Sequence, residues 1–429
     1  MITCLGYFAK NDYKARVILD KVIYTRQLII NKKKVNEANG MSGDVYNQNG
    51  EQDGSLVELF ERYAEKFPVS FWKQRLADHE AWWEGRLGRP LINVANESID
   101  ESMLHGDQEV LPYHKFWPAY PARSSNREIL ESQVAFMLGI ECMGDGFPNQ
   151  FPVYGAGSLA AMLGARMEYQ HDGDTVWFFP PKGRDSLDFS FSLDRDGGLF
   201  ARIKDHYETI AALAVPGTFQ MGMTDIGGTA DVLASFRPAN DLLMDLYDRP
   251  DDVKLAMATI RDAWKEVYSS YQSILAGVCP GSTCWAPILS RSTYYMLQCD
   301  LAYMISPSMF NEFIMPDLED LCSVLDRPFY HLDGQGQIAH LDSLLSIGRL
   351  QGVQWIPGEG AAPIDQWPTV FRKISDAGKK IQVFLDIDND PYQLDKIADQ
   401  IGRADNIVAI INRRFSDVRA AEDLLARFC

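Results

Sequence analysis

The sequence predicts an α/β protein, a (β/α)8 TIM barrel, on three observations. Four apolar runs near the C-terminus, over 329–333, 350–357, 381–386 and 406–412, are each followed by a turn and a helical stretch. Strand starts roughly 20 to 30 residues apart, each with its own helix, have the period of parallel βα units. Four further apolar runs, over 91–95, 135–141, 211–221 and 283–289, bring the strand count to eight. The runs are almost wholly apolar rather than alternating, as strands are when helices cover both of their faces.

Taken in order, residues 1–50 are expected to be a leader outside the folded unit. Residues 1–40 carry eight Lys/Arg against Asp12, Asp20 and Glu37, and a Gly/Asn/Asp-rich stretch follows from Met41. Lys and Arg recur too often there for the apolar core of a secretory signal. One barrel domain is expected over 51–429. It opens with an N-terminal helical extension over 56–86, whose Trp72, Trp82 and Trp83 are suited to close the barrel floor. Runs over 175–180 and 187–193, joined around Lys182-Gly183, read as an inserted β-hairpin. The strand over 329–333 then leads through Gly334-Gln335-Gly336 to a helix over 338–347, and the strand over 350–357 through Gly358-Glu359-Gly360 to a helix over 365–377. The last two strands precede helices over 391–401 and 416–428.

The 429 residues hold 41 Lys/Arg and 59 Asp/Glu, a formal charge of -18. Without the basic leader, 33 basic and 56 acidic groups remain. Such a surface repels phosphate backbones and anionic lipid, so nucleic-acid and membrane roles are excluded as expectations. No apolar run reaches the roughly 18 residues that cross a bilayer. The seven cysteines (Cys4, Cys142, Cys279, Cys284, Cys299, Cys322, Cys429) are odd in number and lack CxxC spacing. That pattern signals neither a disulfide framework nor a zinc finger, and points to a reducing, cytoplasmic compartment. The expected partner is a small-molecule substrate; a homodimer is left open.

Barrel active sites form at the C-terminal ends of the strands, so polar residues there are expected to converge. Asp145 follows the second expected strand, Asp225 the third and Arg291 the fourth. His331 and Asp333 end the fifth; Gln354, Trp355 and Glu359 end the sixth; Asp386, Asp388 and Asp390 follow the seventh, and Asn412 ends the eighth. Asp300 lies in the excursion after the fourth, flanked by Gln298 and Tyr303. His331 and Asp333 are two apart on a strand and therefore share a face. With Glu359 arriving from the neighbouring strand they can hold a divalent ion; without metal the same pair serves as acid and base. Catalysis is thus assigned to Asp145, Asp300, His331 and Asp333. Arg291, Gln298, Tyr303, Gln354, Trp355 and Asp225 are assigned to substrate, and His331, Asp333 and Glu359 to a metal. Asp386 to Asp390 resembles an EF-hand opening, but Pro391 replaces the turn glycine and Ile397 the final Glu, so these acids are read as helix caps. The Gly155-Ala156-Gly157-Ser158 segment is read as a tight turn.

Several segments resemble the uroporphyrinogen decarboxylase superfamily, in particular its decarboxylase-like branch related to corrinoid-dependent methyltransferases. They are Phe329 to Leu341, Gly352 to Gly360, Cys299 to Pro307, Met143 to Pro148 and Thr224 to Gly228. The resemblance implies the same barrel over roughly residues 72–429. It implies one of two chemistries, decarboxylation of a porphyrinogen or methyl transfer, with a non-catalytic corrinoid- or tetrapyrrole-binding protein as a third outcome. Asp145 matches by position the acid that contacts pyrrole nitrogens in the decarboxylases, but their Arg-rich motif is absent; Arg86 and Arg89 stand alone there. In the methyltransferases, zinc is held by a His-x-Cys pair, an acid one strand on and a Cys near the last strand. His331 falls on that His, Asp333 on the first Cys, Glu359 near the acid and Asn412 near the last Cys. Oxygen donors in place of thiolates favour zinc less and a harder divalent ion more. The favoured expectation is methyl transfer from a small methylated substrate to a corrinoid or thiol acceptor, with a corrinoid protein as partner.

Overall fold

A computed structural model describes residues 52–97, 125–170, 175–181, 191–411 and 418–429. The leader, the 182–190 segment and Asn412 lie outside the described residues.

Helices α1 (Gln52–Lys66) and α2 (Val69–Trp83) precede β1 (Leu91–Glu97). Then come α3 (Asn126–Met137), β2 (Ile140–Gly144), α4 (Leu159–Met162) and the strands β3 (Arg166–Gln170) and β4 (Thr175–Phe179). Helices α5 (Gly198–Leu213), α6 (Thr229–Phe236), α7 (Ala239–Asp248) and α8 (Pro250–Leu275) lead to β5 (Tyr294–Gln298). A 3-10 turn, Asp300–Met304, and a helical segment made of α9 (Pro307–Met309), a π turn and α10 (Met315–Val324) follow. The chain closes with β6 (Arg327–Asp333), α11 (Leu341–Ser346), β7 (Gly352–Ile356), α12 (Pro368–Asp376), β8 (Lys380–Leu385), α13 (Gln393–Ile401), β9 (Ile407–Ile411) and α14 (Val418–Phe428).

Nine strands form two sheets among the described residues. The central sheet has seven, in the order β2-β1-β9-β8-β7-β6-β5, and every adjacent pair is parallel except β1 with β2. All five residues of β7 and of β9 are buried, which is why they read as unbroken apolar runs. The covering helices bury one stripe each: Val370, Phe371 and Ile374 in α12, Leu394 and Ile397 in α13, Ala421 and Leu424 in α14. Helix α8 starts with Pro250 at its first position and Asp251 and Asp252 in its first turn, where a fixed φ and negative charge both favour initiation. No described helix is long and apolar enough to cross a membrane.

The strands expected over 91–95, 329–333, 350–357 and 381–386 are present, as is that over 406–412 up to Ile411; the other three expectations are corrected. The run over 135–141 is split between the end of α3 and the start of β2, which is antiparallel to β1. A capping box of Ser125 and Glu128 starts α3, so its apolar residues fall on a helix face. The 211–221 run finishes α5 and then becomes irregular past Pro216-Gly217. Over 283–289 no ladder forms, in keeping with Pro287, which has no N–H to donate; the strand is Tyr294–Gln298 instead. In the expected hairpin, 175–179 pairs with the preceding 166–170, and most of the run over 187–193 lies outside the described residues.

Seven strands leave the central sheet open between β2 and β5 among the described residues. Irregular extended segments occupy that side. Gln150 bridges Met221, Gly222 N–H donates to the Gln150 carbonyl at 2.5 Å, and Met223 N–H to that of Thr283 at 2.8 Å. The arrangement is compatible with a barrel but is not closed by regular strands. At the N-terminal end of the parallel strands, α2 forms the floor, as expected for Trp82 and Trp83. Lys380 Nζ donates to the Trp82 carbonyl at 2.7 Å, and Arg327 lies 5.0 Å from the Trp83 ring centre while pairing with Glu80.

Candidate active site

The register of the parallel strands aligns Gln298 with His331, His331 with Gln354, and Gln354 with Gln382. These four polar residues form a buried row across β5, β6, β7 and β8. Their hydrogen bonds run along it. Gln354 Nε2–H donates to Gln382 Oε1, which leaves Gln354 Oε1 facing His331 Nδ1. An oxygen there accepts from a proton on Nδ1, which leaves His331 Nε2 as the ring nitrogen that faces the acids. Nε2 lies 3.7 Å from Asp333 Oδ2, and the Trp285 ring meets the imidazole edge-on at 5.2 Å.

Asp300 completes the cluster. One ligand atom each from Asp300, His331 and Asp333 lie within 4.8 Å of one another. Asp300 is the first residue of the 3-10 turn beyond β5, and its N–H and that of Leu301 each donate to a carboxylate oxygen of Asp231 at 2.9 Å. Asp231 sits in the first turn of α6, after a loop pressed against the end of β5. A Cβ at Gly228 would lie 2.2 Å from the Gln298 carbonyl oxygen, so only glycine permits that approach. Asp225, on the same loop, receives Gln298 Nε2–H at 3.4 Å.

Burial pushes the Asp225 carboxyl up to about 7, with the Asp300 charge adding to it; the Gly157 and Gly227 amides and His331 oppose the rise. Burial and the Asp300 charge push Asp231 up as well, against the Leu301 and Asp300 amides. Asp300 is raised by burial and by Asp333, with His331 opposing. No lysine or arginine among the described residues pairs with these acids. The cluster therefore stabilises protons or a cation.

The other expected site residues are placed as follows. Because β2 is antiparallel, Asp145 stands at the N-terminal end of the sheet, away from His331. Its carboxylate takes Arg89 Nη1–H at 2.6 Å, Arg89 Nη2–H at 2.8 Å and Ile92 N–H at 2.9 Å. Arg291 precedes β5 and lies at that same end, with its N–H on Glu80. Glu359 is exposed on the turn beyond β7 and is outside the ligand group. Trp355 points to the opposite face from Gln354, fully buried against Trp367 with ring centres 5.1 Å apart, so it is not a wall of the cluster. Tyr303 is exposed at the mouth, over Gly334 and Gly336. Asp390 receives Tyr392 N–H at 2.9 Å and pairs with Lys396, but the next helix starts at Gln393 with Tyr392 before it and no side-chain cap, so the expected capping by these acids is corrected. Ser158 in the tight turn donates from N and Oγ to the Asp225 carbonyl. Sequence reasoning missed Asp231 and Trp285. Neither stands at the end of a regular strand, and no spacing rule links them to His331.

The donor set fits a divalent cation. A borderline or hard ion takes imidazole nitrogen and carboxylate oxygen at about 2.0–2.2 Å, within reach of these three groups after a small contraction. The Nδ1–H of a metal-binding histidine is characteristically held by an acceptor, which Gln354 supplies.

No model of a known protein family matches the chain, and no curated protein matches it in sequence. Among solved structures it is similar to a methyltransferase from Methanosarcina mazei, with a TM-score of 0.55 at 12% identity over 82% of this chain and 98% of that one. At that identity the likeness is one of fold.

Proposed function

We propose that this protein is a methyl-transfer enzyme of the uroporphyrinogen decarboxylase superfamily. It moves a methyl group from a small methylated substrate to a corrinoid or thiol acceptor, the corrinoid being carried by a partner protein. The observation that carries this reading is the convergence of Asp300, His331 and Asp333 at the C-terminal strand ends of a fold shared with a methyltransferase.

Asp300, His331 and Asp333 are the residues that would hold a divalent ion, with Asp300 in the third place that the sequence assigned to Glu359. When bound, such an ion supplies Lewis acidity that favours a deprotonated acceptor. Gln354 keeps the His331 proton on Nδ1 and so keeps Nε2 turned toward the carboxylates. Asp225, carrying its proton near neutrality, is suited to donate a hydrogen bond to substrate, and Trp285 supplies the apolar side. The decarboxylase reading rested on Asp145, whose carboxylate Arg89 already neutralises at the far end of the sheet.

Metal analysis of the purified full chain, beside His331→Ala, tests this reading. Near-stoichiometric metal in the first and a loss of tenfold or more in the second is expected. Equal, negligible metal in both sinks the metal-dependent form. Methyl transfer from methylcobalamin to a small alkanethiol tests the reaction, and no turnover by folded, loaded protein counts against it.

A further inference from the structure

The turn that carries Asp300 takes no side-chain cap from Cys299, the residue before it, at its first N–H groups. The first N–H groups of such a turn need acceptors, and here they come from another element. Both oxygens of Asp231 are used, one on Asp300 N–H and one on Leu301 N–H. Asp231 is itself held. Two residues before it, Thr229 donates its hydroxyl to the buried Asp317, which also receives Arg261 Nη1–H at 3.2 Å. A chain of contacts thus runs from Arg261 through Asp317 and the first turn of α6 to the backbone of Asp300.

We propose that Asp231 is a positioning residue, which sets Asp300 at ligand distance from His331 and Asp333 by clamping the 300–304 turn. A neutral cap would satisfy the same amides without placing a second buried carboxyl beside Asp300, so the choice of aspartate points to the geometry it imposes on them. A carboxylate offers two strong acceptors in one plane, enough to fix two successive N–H vectors. Tyr303, on the same turn, is positioned by the same clamp.

The inference rests on the metal reading only for its effect on ligation, so two measurements are paired. Cobalt(II) is titrated into the full chain and into Asp231→Ala and Asp231→Asn, following visible absorption, and hydrogen exchange of all three is followed without metal. Asp231→Ala is expected to weaken cobalt binding about 10- to 100-fold, the range for loss of an outer partner of a ligand. Exchange in the 299–305 peptide is expected to speed at least tenfold while the 327–333 peptide keeps its rate. Asp231→Asn, which keeps one acceptor oxygen, is expected to restore part of both, and it decides the matter if the alanine variant does not fold. Unchanged exchange at 299–305, or equal acceleration throughout the chain, overturns the proposal. Absence of cobalt binding by the unaltered protein would instead overturn the metal reading, with the exchange result still deciding the role of Asp231.

Discussion

Asp225 and Asp231 make the apoprotein's stability pH-dependent in an unusual direction. Burial holds both folded-state carboxyls above the ordinary aspartate value of 3.8, Asp225 at about 7. Above about pH 6.5, where His79, His206 and His340, whose values burial lowers, are mostly neutral in folded and unfolded chain alike, these two groups leave the folded chain with more bound protons than the unfolded one, so stability falls as pH rises. With a chelator present, the melting temperature is expected to drop from pH 6.5 to 8, and Asp225→Asn to flatten that slope. A melting temperature that rises over this interval would refute the assignment. The residues behind this effect were only half legible. Asp225 stands out in the sequence, but Asp231 becomes meaningful only when the Gly227-Gly228 loop folds against β5. His331 and Asp333 were legible because strand period two places them on one face, and that same period turns Trp355 away while Gln354 faces His331.

At the scale of elements, the four C-terminal βα units were legible because each buries its strand on both faces and carries its own turn and amphipathic helix. The N-terminal half was not, since its sheet-like segments between β2 and β5 are held by scattered bonds such as that from Asn149 to the Cys284 carbonyl, which leave no periodic signature. The antiparallel course of β2 has the largest consequence, because it carries Asp145 to the floor. There the pair of Asp145 with Arg89 joins the end of β2 to the start of β1. Replacing Arg89 by Met strands a carboxylate of which 1% is exposed. A cost of about 3–5 kcal/mol is expected, read from the urea midpoint at unchanged slope. Metal content is expected to stay unaltered, because the pair and the His331 cluster lie at opposite ends of the sheet. A destabilisation below about 1 kcal/mol would show that water already reaches Asp145.

For the whole molecule, the decisive contact joins the beginning of the sheet to the end of the chain. Strand β9 lies between β1 and β8, pairing Leu91 with Val408 and Ile381 with Ile407. The units that read so clearly as a separate C-terminal run are thus the neighbours of the first strand, and neither half owns a complete sheet. Acidic charge is spread over both halves and bears on partners rather than on this architecture. Removing residues 405–429 deletes β9 and α14. It uncovers Leu91, Ile92, Val383 and Leu385, each no more than 2% exposed in the intact chain, and leaves β1 with only its antiparallel partner. Each such side chain contributes roughly 1.5–3 kcal/mol when buried, and the total stability of a domain is about 5–15 kcal/mol, so the loss exceeds what the remainder can absorb. The truncated chain is expected to lose its near-ultraviolet circular dichroism and to aggregate at neutral pH. A monomer with native aromatic signals would mean that β1 to β8 form a self-sufficient unit, and that β9 only covers it.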